Sequence, residues 1–124
     1  MAAQTVPEDE SLAKMAARAL NRNKDYQALN QFVASRSERI QQLPRMRMYR
    51  AIALVECGYA DEAEAILYRD GKWLEVPDMQ EGEISLSNLW YRIQEVRAGH
   101  KGKTFDRESV SPPYELDFRM FAAE

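Results

Sequence analysis

The sequence predicts an all-α domain of two tetratricopeptide-like helical hairpins in a right-handed stack, closed by a fifth helix and an extended C-terminal tail. Apolar residues recur at helical spacing through most of the chain. One layout, a turn followed by a small and then a large apolar residue, occurs twice. The last segment instead alternates polar and apolar residues, as a half-buried extended strand does.

The repeated layout lies at 20–32 and again at 54–67. Its equivalent positions are 35 residues apart, and they are Asn23 and Gly58, Ala28 and Ala63, and Phe32 and Leu67. A period of roughly 34 residues is typical of stacked tetratricopeptide-type hairpins. Because about three or more repeats usually make a stable stack, we expect the fifth helix and the tail to cap the two found here.

The first hairpin should begin at Pro7, because proline and the acids after it favour a helix N-terminus. Its first helix has a predicted inner stripe of Leu12, Met15, Ala16, Ala19 and Leu20. A turn follows at 21–24, with Asn23 in the left-handed conformation. Asp25 should cap the second helix. The inner face of that helix is assigned to Leu29, Phe32 and Val33.

The second hairpin should open at Pro44 and turn at Gly58. Its first helix has inward candidates at Tyr49, Ile52, Ala53, and Val55 or Cys57. Asp61 and Glu62 open its second helix, Asp70-Gly71 ends it, and the inner face is Ala63, Ile66 and Leu67. Small Ala28 and Ala63 should let each pair of helices approach closely. Residues 35–43 either extend the second helix or break it near Ser35–Ser37, and the sequence leaves both open.

Beyond Gly71 the repeat stops. Residues 73–77 should be a short extended connector, and Ser85 should cap a fifth helix with a buried stripe of Leu86, Leu89, Trp90, Ile93 and Val96. Residues 98–113 are polar and contain glycines and prolines, which favours a loop. We therefore predict a helical repeat domain over 1–97, with hairpins at about 8–36 and 44–70 and the capping helix at about 86–97. A loop and tail over 98–124 pack on this domain or on a partner.

Composition limits the function. The 124 residues fit one domain, and a net charge of −3 gives no general attraction for nucleic acid or an anionic membrane. No apolar run reaches the roughly 20 residues that span a bilayer, and the acidic N-terminus is unlike a signal peptide. The sequence therefore predicts a soluble, cytoplasmic chain with no membrane partner. We expect the single cysteine, Cys57, to be a buried small residue, with a reactive thiol as the alternative.

The sequence offers no constellation of acid, base and nucleophile. His100 lies in a predicted loop, where a solvated side chain is expected. The acids Asp78, Glu81 and Glu83 do not match a calcium loop, and a helix start and solvated turn explain them better. We therefore expect no catalytic residue, no cofactor and no metal in this chain.

Basic and aromatic residues are the candidates for partner binding. Arg45, Arg47 and Arg50 cluster with Arg36 and Arg39, and a second basic group comprises Arg97, Lys101, Lys103 and Arg107. A phosphate-binding face is one interpretation. The absence of interleaved aromatic residues favours the other, in which the arginines cover hairpin edges or pair with acids between Glu56 and Glu83. Two aromatic residues, Trp73 and Tyr91, are free to line a groove, whereas the helical stripe accounts for Trp90.

The alternating tail is a further candidate, through Tyr114, Leu116, Phe118 and Met120. A strand in a helical protein lacks a ladder for its backbone groups, so the tail needs a partner. Either it straps across the helices, with Leu116 and Phe118 in surface grooves, or it docks on another domain as an added edge strand. Both alternatives stay open.

Four segments, at 58–63, 76–83, 85–93 and 113–120, together resemble the C-terminal end of large bacterial tetratricopeptide-like proteins. They read GYADEA, VPDMQEGE, SLSNLWYRI and PYELDFRM. Those proteins carry an upstream domain of unknown function that is similar to glycoside hydrolases. The resemblance implies that this chain is an accessory helical domain, with any catalysis in a part not present here. It carries no catalytic residue onto these positions.

The leading expectation is a non-catalytic protein–protein interaction or scaffolding module, which uses the concave hairpin face or the tail. One alternative is an accessory domain or subunit of a carbohydrate-active enzyme. A second is a small nucleic-acid binder. The expected partner is a protein or an absent upstream domain, and self-association is open because helical stacks leave apolar end faces.

Overall fold

The computed structural model describes residues 9–77, 85–113 and 116. Within these residues it contains six helices and one two-stranded hairpin, which confirms an all-α fold. The elements are α1 (Glu10–Arg22), α2 (Tyr26–Ala34), α3 (Glu38–Gln41), α4 (Pro44–Glu56), α5 (Ala60–Leu67), β1 (Tyr68–Arg69), β2 (Lys72–Trp73) and α6 (Leu86–His100).

Two helical hairpins, α1–α2 and α4–α5, recur along the chain. Helix α4 begins and ends 34 residues after α1 begins and ends. The hydrogen bonds of the turns repeat at the same spacing. The Asp25 amide donates to the Leu20 carbonyl at 3.0 Å, and the Tyr59 amide donates to the Leu54 carbonyl at 2.8 Å. The two hairpins therefore share one backbone design.

The predicted alignment of the two hairpins is wrong by one residue. Lys24, with φ 58°, and Gly58, with φ 93°, hold the left-handed position of each turn, whereas Asn23 has φ −81°. The spacing is thus 34 residues, and Ala63 corresponds to buried Leu29 rather than to half-buried Ala28. Asparagine tolerates the left-handed region better than lysine does, and the prediction therefore placed Asn23 there. In the structure the helix continues through Arg22 with Asn23 as its C-cap, so the left-handed position falls on the next residue, Lys24.

The predicted inner stripe of α1 is wrong at Leu12, Met15 and Ala19, which are exposed, whereas Leu20 packs against the core. Leu12 and Met15 are 62% and 65% exposed, and the buried side chains are Ala13 and Ala17. Helix α1 packs against both α2 and α4. Alanines on that side permit close approach of the helices, which leaves the larger apolar side chains facing outward. Pro7 lies outside the described residues, and the N-cap is Asp9, whose Oδ1 accepts from the Ser11 amide at 2.8 Å.

Helix α2 ends at Ala34, which decides between the two alternatives for 35–43 in favour of a break. Residues 35–37 separate it from the short α3, which Ser37 caps by accepting from the Ile40 amide at 3.4 Å. Ile40 then enters the core. On α2 itself, Leu29 and Val33 are fully buried as predicted, and Phe32 is half-buried.

Helix α4 is the centre of the fold. It packs against α1, α2, α3, α5 and α6. Its buried residues surround the helix rather than forming one stripe, and they are Arg45, Met46, Met48, Tyr49, Ala51, Ile52, Ala53, Leu54 and Val55. Cys57 is exposed, which contradicts the predicted burial, because it follows the last residue of α4 as the C-cap.

Helix α5 ends at Leu67, and Asp70-Gly71 does not terminate it as predicted. These two residues form the turn of a β-hairpin in which Tyr68 pairs with Trp73. Their φ values of 54° and 75° match the two-residue hairpin turn that suits Asp-Gly. Beyond the hairpin, Leu74 and Val76 are buried, so the connector packs onto the helices. The inner face of α5 holds, with Ala63 and Leu67 buried and Ile66 partly so.

Helix α6 begins as predicted, because Ser85 accepts from the Asn88 amide at 3.2 Å. Leu86, Leu89 and Ile93 are fully buried, and Trp90 and Val96 pack against the core. The helix continues to His100, three residues into the predicted loop. It packs against both α4 and α5, much as α4 packs against both α1 and α2.

The one described residue of the tail is buried. Leu116 has 0% exposure and belongs to the main core. Its amide donates to the Pro113 carbonyl at 3.0 Å. The rest of the predicted strand, at 114–115 and 117–120, lies outside the described residues. None of the described helices is long and apolar enough to span a membrane.

Candidate functional site

A cleft of about 910 Å³ lies where the start of α4 meets the β-hairpin. Its lining residues are Gln42, Pro44, Arg47, Arg69, Asp70, Gly71, Lys72, Trp73, Leu74 and Glu75. A recess of about 350 Å³ shares Gln42, Arg47 and Arg69 with this cleft and adds Arg50 from the next turn of α4. We call the cleft and recess together the basic cleft.

The hairpin positions half of the cationic side chains. Asp-Gly permits the tight turn, and the antiparallel register then places Arg69 opposite Lys72 and Tyr68 opposite Trp73. The two aromatic rings pack with centroids 4.4 Å apart. This contact fixes Trp73 at the edge of the cleft, where its indole offers a rigid apolar surface beside the charges.

Helix α4 supplies the other two cations. Arg47 is partly buried, and its Nη2 donates to the Ile66 carbonyl oxygen on α5 at 3.3 Å. Burial first, and then the nearby charge of Arg69, lower the pKa of Arg47, while Asp70 opposes this shift. Arg50 lies one turn further along, and within the described part of the chain its Nε is buried without a hydrogen-bond partner.

The electrostatic balance of the basic cleft differs from that of the whole chain. Four cations, Arg47, Arg50, Arg69 and Lys72, line it against two carboxylates, Asp70 and Glu75, although the chain carries a net charge of −3. The Arg69–Asp70 pair is 3.8 Å apart and largely exposed, so it neutralises little. An incoming anion would meet two partly desolvated guanidinium groups, which bind carboxylates more strongly than solvated ones do.

The structure places the basic and aromatic sequence candidates at three locations. Arg47, Arg50 and Trp73 meet in the basic cleft. Arg45 instead enters the core, where its Nη1 donates to the Tyr49 hydroxyl at 3.2 Å. Tyr91 lies on α6 in a separate aromatic cluster with Trp90 and Phe105.

The tail candidates are only partly placed. Tyr114, Phe118 and Met120 lie outside the described residues. Leu116 is buried and presents no surface to a partner.

Two of the four residues in the second basic group, Arg97 and Arg107, form internal ion pairs. Arg97 bridges Glu64 at 2.8 Å and Asp61 at 3.0 Å, and these bonds, led by the one to Glu64, raise its pKa. Arg107 bridges Glu95 at 2.6 Å. These ion pairs hold α6 and the following loop in place. Arg97 pairs with acids between Glu56 and Glu83, as one interpretation of the sequence predicts, whereas Arg107 pairs with an acid of α6 itself.

The remaining chemical candidates give no reactive site within the described residues. His100 is exposed at the end of α6 and lines a small recess beside Gly58 and Asp61. Among the described residues, no three or more of His, Cys, Asp and Glu gather in a way that could hold a metal ion. Asp78, Glu81 and Glu83 lie outside that part of the chain.

Sequence reasoning missed Arg69 and Lys72. The signal was present in the segment YRDGKW, because Asp-Gly between aromatic and basic residues predicts a two-residue hairpin that brings its flanks together. It also missed Gln42, which joins the cleft because α2 breaks and α3 redirects the chain.

A comparison of this chain with models of protein families, with curated proteins and with solved structures finds no match.

Proposed function

We propose that this chain is a non-catalytic protein-interaction module of tetratricopeptide-like type, and that it binds an acidic segment of a partner protein in the basic cleft. The observation that carries the proposal is the convergence of Arg47, Arg50, Arg69 and Lys72 on one cleft beside Trp73. The 34-residue recurrence of the hairpins supports the scaffold type, because stacked repeats of this period build extended binding surfaces.

The chemistry of the cleft favours a carboxylate-bearing peptide. Arginine presents a planar fork that pairs with a carboxylate through two hydrogen bonds, and Trp73 can pack against an apolar side chain of the same peptide. The cleft is wide enough for several residues of an extended chain. Arg97 and Arg107 line neither part of the basic cleft and are held in ion pairs, which disfavours a continuous phosphate-binding surface.

The test is fluorescence anisotropy with a labelled glutamate-rich peptide and a glutamine-substituted peptide of the same length. The full chain should bind the first more tightly, and the affinity should fall as salt is raised. The double variant Arg69→Glu, Lys72→Glu should weaken binding by at least about tenfold, because it reverses two exposed charges that steer the peptide.

The matched control is Lys101→Glu, Lys103→Glu, which makes the same charge change on exposed residues beyond α6. This control should leave the affinity within about twofold of the parent. Equal weakening by both double variants would show only a general charge effect and would contradict the cleft as the site. Stronger binding of a single-stranded oligonucleotide than of the acidic peptide would favour the nucleic-acid alternative instead.

The proposed accessory role in a carbohydrate-active enzyme has its own test. Mass spectrometry of the source cell would show whether these peptides occur in a protein of 14.4 kDa or in a much longer polypeptide. A small native protein would exclude the accessory-domain proposal, whereas the basic cleft would keep its proposed role in either case.

A further inference from the structure

Helix α1 presents an apolar stripe to solvent. Leu12 is 62% exposed and Met15 is 65% exposed, and Ala19 one turn later is exposed as well. The three residues are spaced three and four apart, so they share one face of the helix. Apolar side chains that adjoin on one helix face form a contiguous patch, and such patches mark interaction surfaces.

On the second hairpin, the equivalent face of α4 is buried. The residues 34 positions beyond Leu12, Met15 and Ala19 are Met46, Tyr49 and Ala53, which are 0%, 1% and 0% exposed. Both α1 and α4 pack against their own hairpin partner and against a following helix. Helix α4 also packs against the preceding hairpin, α1–α2, and α1 has no such neighbour among the described elements. We therefore interpret the stripe on α1 as a helix-packing face. The equivalent face of α4 is buried, and α4 has a preceding hairpin packed against it, whereas α1 has none among the described elements.

We propose that a second copy of this chain covers the stripe, with the two α1 helices antiparallel about a two-fold axis. If the axis passes between Met15 and Ala16, Leu12 of each copy lies opposite Ala19 of the other. Met15 then lies opposite Ala16, so each large side chain meets a small one, as ridges meet grooves in packed helices. A two-fold interface requires such self-complementarity of one patch.

Charge supports the same register. In this arrangement Asp9 at the N-terminus of one α1 lies opposite Arg22 in the last turn of the other, and both residues are exposed. The two-fold axis repeats this pairing, so the interface contains two pairs of opposite charge, each between Asp9 of one copy and Arg22 of the other. The described residues offer no equivalent surface elsewhere, since the other large exposed apolar side chains, Tyr59, Tyr68 and Val110, do not share a helix face.

This inference goes beyond the proposed binding function and does not depend on it, because the two surfaces have no residue in common. Sedimentation velocity of the full chain, from low micromolar to near-millimolar concentration, should show a reversible shift from 14.4 kDa to twice that mass. The double variant Leu12→Glu, Met15→Glu should weaken dimerisation by at least about tenfold, since it removes the apolar contact and adds like charges. Both positions are exposed in the monomer, so the variant should keep the parent's circular dichroism spectrum.

A cysteine test distinguishes the register. In a Cys57→Ser background, Met15→Cys should form a disulfide-linked dimer on mild oxidation, because position 15 lies beside the axis. The matched control Val110→Cys, also at an exposed apolar position, should not cross-link at a comparable rate. A monomer at every concentration would overturn the proposal, and so would a dimer that the Leu12→Glu, Met15→Glu variant leaves intact. If the stripe binds another helical protein instead, the chain should stay monomeric at every concentration.

Discussion

The Nη2 atom of Arg47 on α4 donates to the Ile66 carbonyl oxygen on α5 at 3.3 Å. The bond joins the two helices of the second hairpin at the wall of the basic cleft. Arg47 thus has one role in the fold and a second, proposed role in binding. The two roles can be separated by experiment.

Replacing Arg47 by alanine should lower the free energy of unfolding by about 1 kcal/mol, because the hydrogen bond to the Ile66 carbonyl is lost. Urea denaturation followed by circular dichroism measures this. The control is Arg69→Ala, whose side chain is exposed and whose loss should change stability by less than about 0.5 kcal/mol. Both variants should weaken acidic-peptide binding, whereas only Arg47→Ala should lower the free energy of unfolding. Equal free energies of unfolding for the two variants would contradict the structural role of Arg47.

Gly71→Ala should destabilise the β-hairpin by about 1 kcal/mol, because Gly71 has φ 75° and an L-residue is strained there. An added Cβ would meet no heavy atom within 4 Å, so the cost comes from the backbone and not from a clash. Gly99→Ala is the control, since its Cβ also meets nothing and the residue is helical. Unchanged stability in Gly71→Ala would show that the turn does not hold this conformation.

Leu116 tests whether the tail stabilises the helical domain. Because its side chain is fully buried in the main core, Leu116→Ala should cost about 2–5 kcal/mol, as large-to-small changes in cores do. Val110→Ala, at a 43% exposed position in the preceding loop, provides the comparison. Equal, small effects of the two substitutions would favour a tail that docks elsewhere.

Acid should weaken the contact between α6 and the loop that follows it. The hydrogen bond from Arg107 holds the pKa of Glu95 below its usual value of 4.5, although burial opposes the shift. The carboxylate therefore contributes stability that is fully present above pH 4.5 and is lost as pH falls through the lowered pKa. The stability difference between the parent and Glu95→Gln should shrink in that acidic window.

Capping and turn residues in the sequence predict where the helices begin and end better than apolar spacing predicts which face of each helix is buried. Pro44, Gly58 and Ser85 marked boundaries that the structure keeps, because proline, glycine and serine act through backbone geometry and capping. Leu12 and Met15 share helical spacing with Ala16 and Leu20, and this spacing predicts a core position for both. Which face of α1 is buried depends on where α2 and α4 lie, and spacing alone does not contain that information.

The candidate site shows the same limit. Arg47, Arg50 and Trp73 could be selected from the sequence as basic and aromatic residues without an assigned partner. Their meeting in one cleft required the β-hairpin, which folds Arg69 and Lys72 back toward α4. Arg45 is a candidate on the same grounds, yet it is buried against Tyr49. Each step of one residue along a helix turns the side-chain direction by about 100°, so neighbouring arginines face different surroundings.

The central claim is that the basic cleft binds an acidic peptide, and backbone amide NMR of the full chain tests it most directly. On titration with the glutamate-rich peptide, the largest chemical-shift changes should fall on Gln42, Arg47 and residues 69–75, and they should be absent with the glutamine peptide. Changes confined to α6 and residues 101–107, or no changes at all, would contradict the claim.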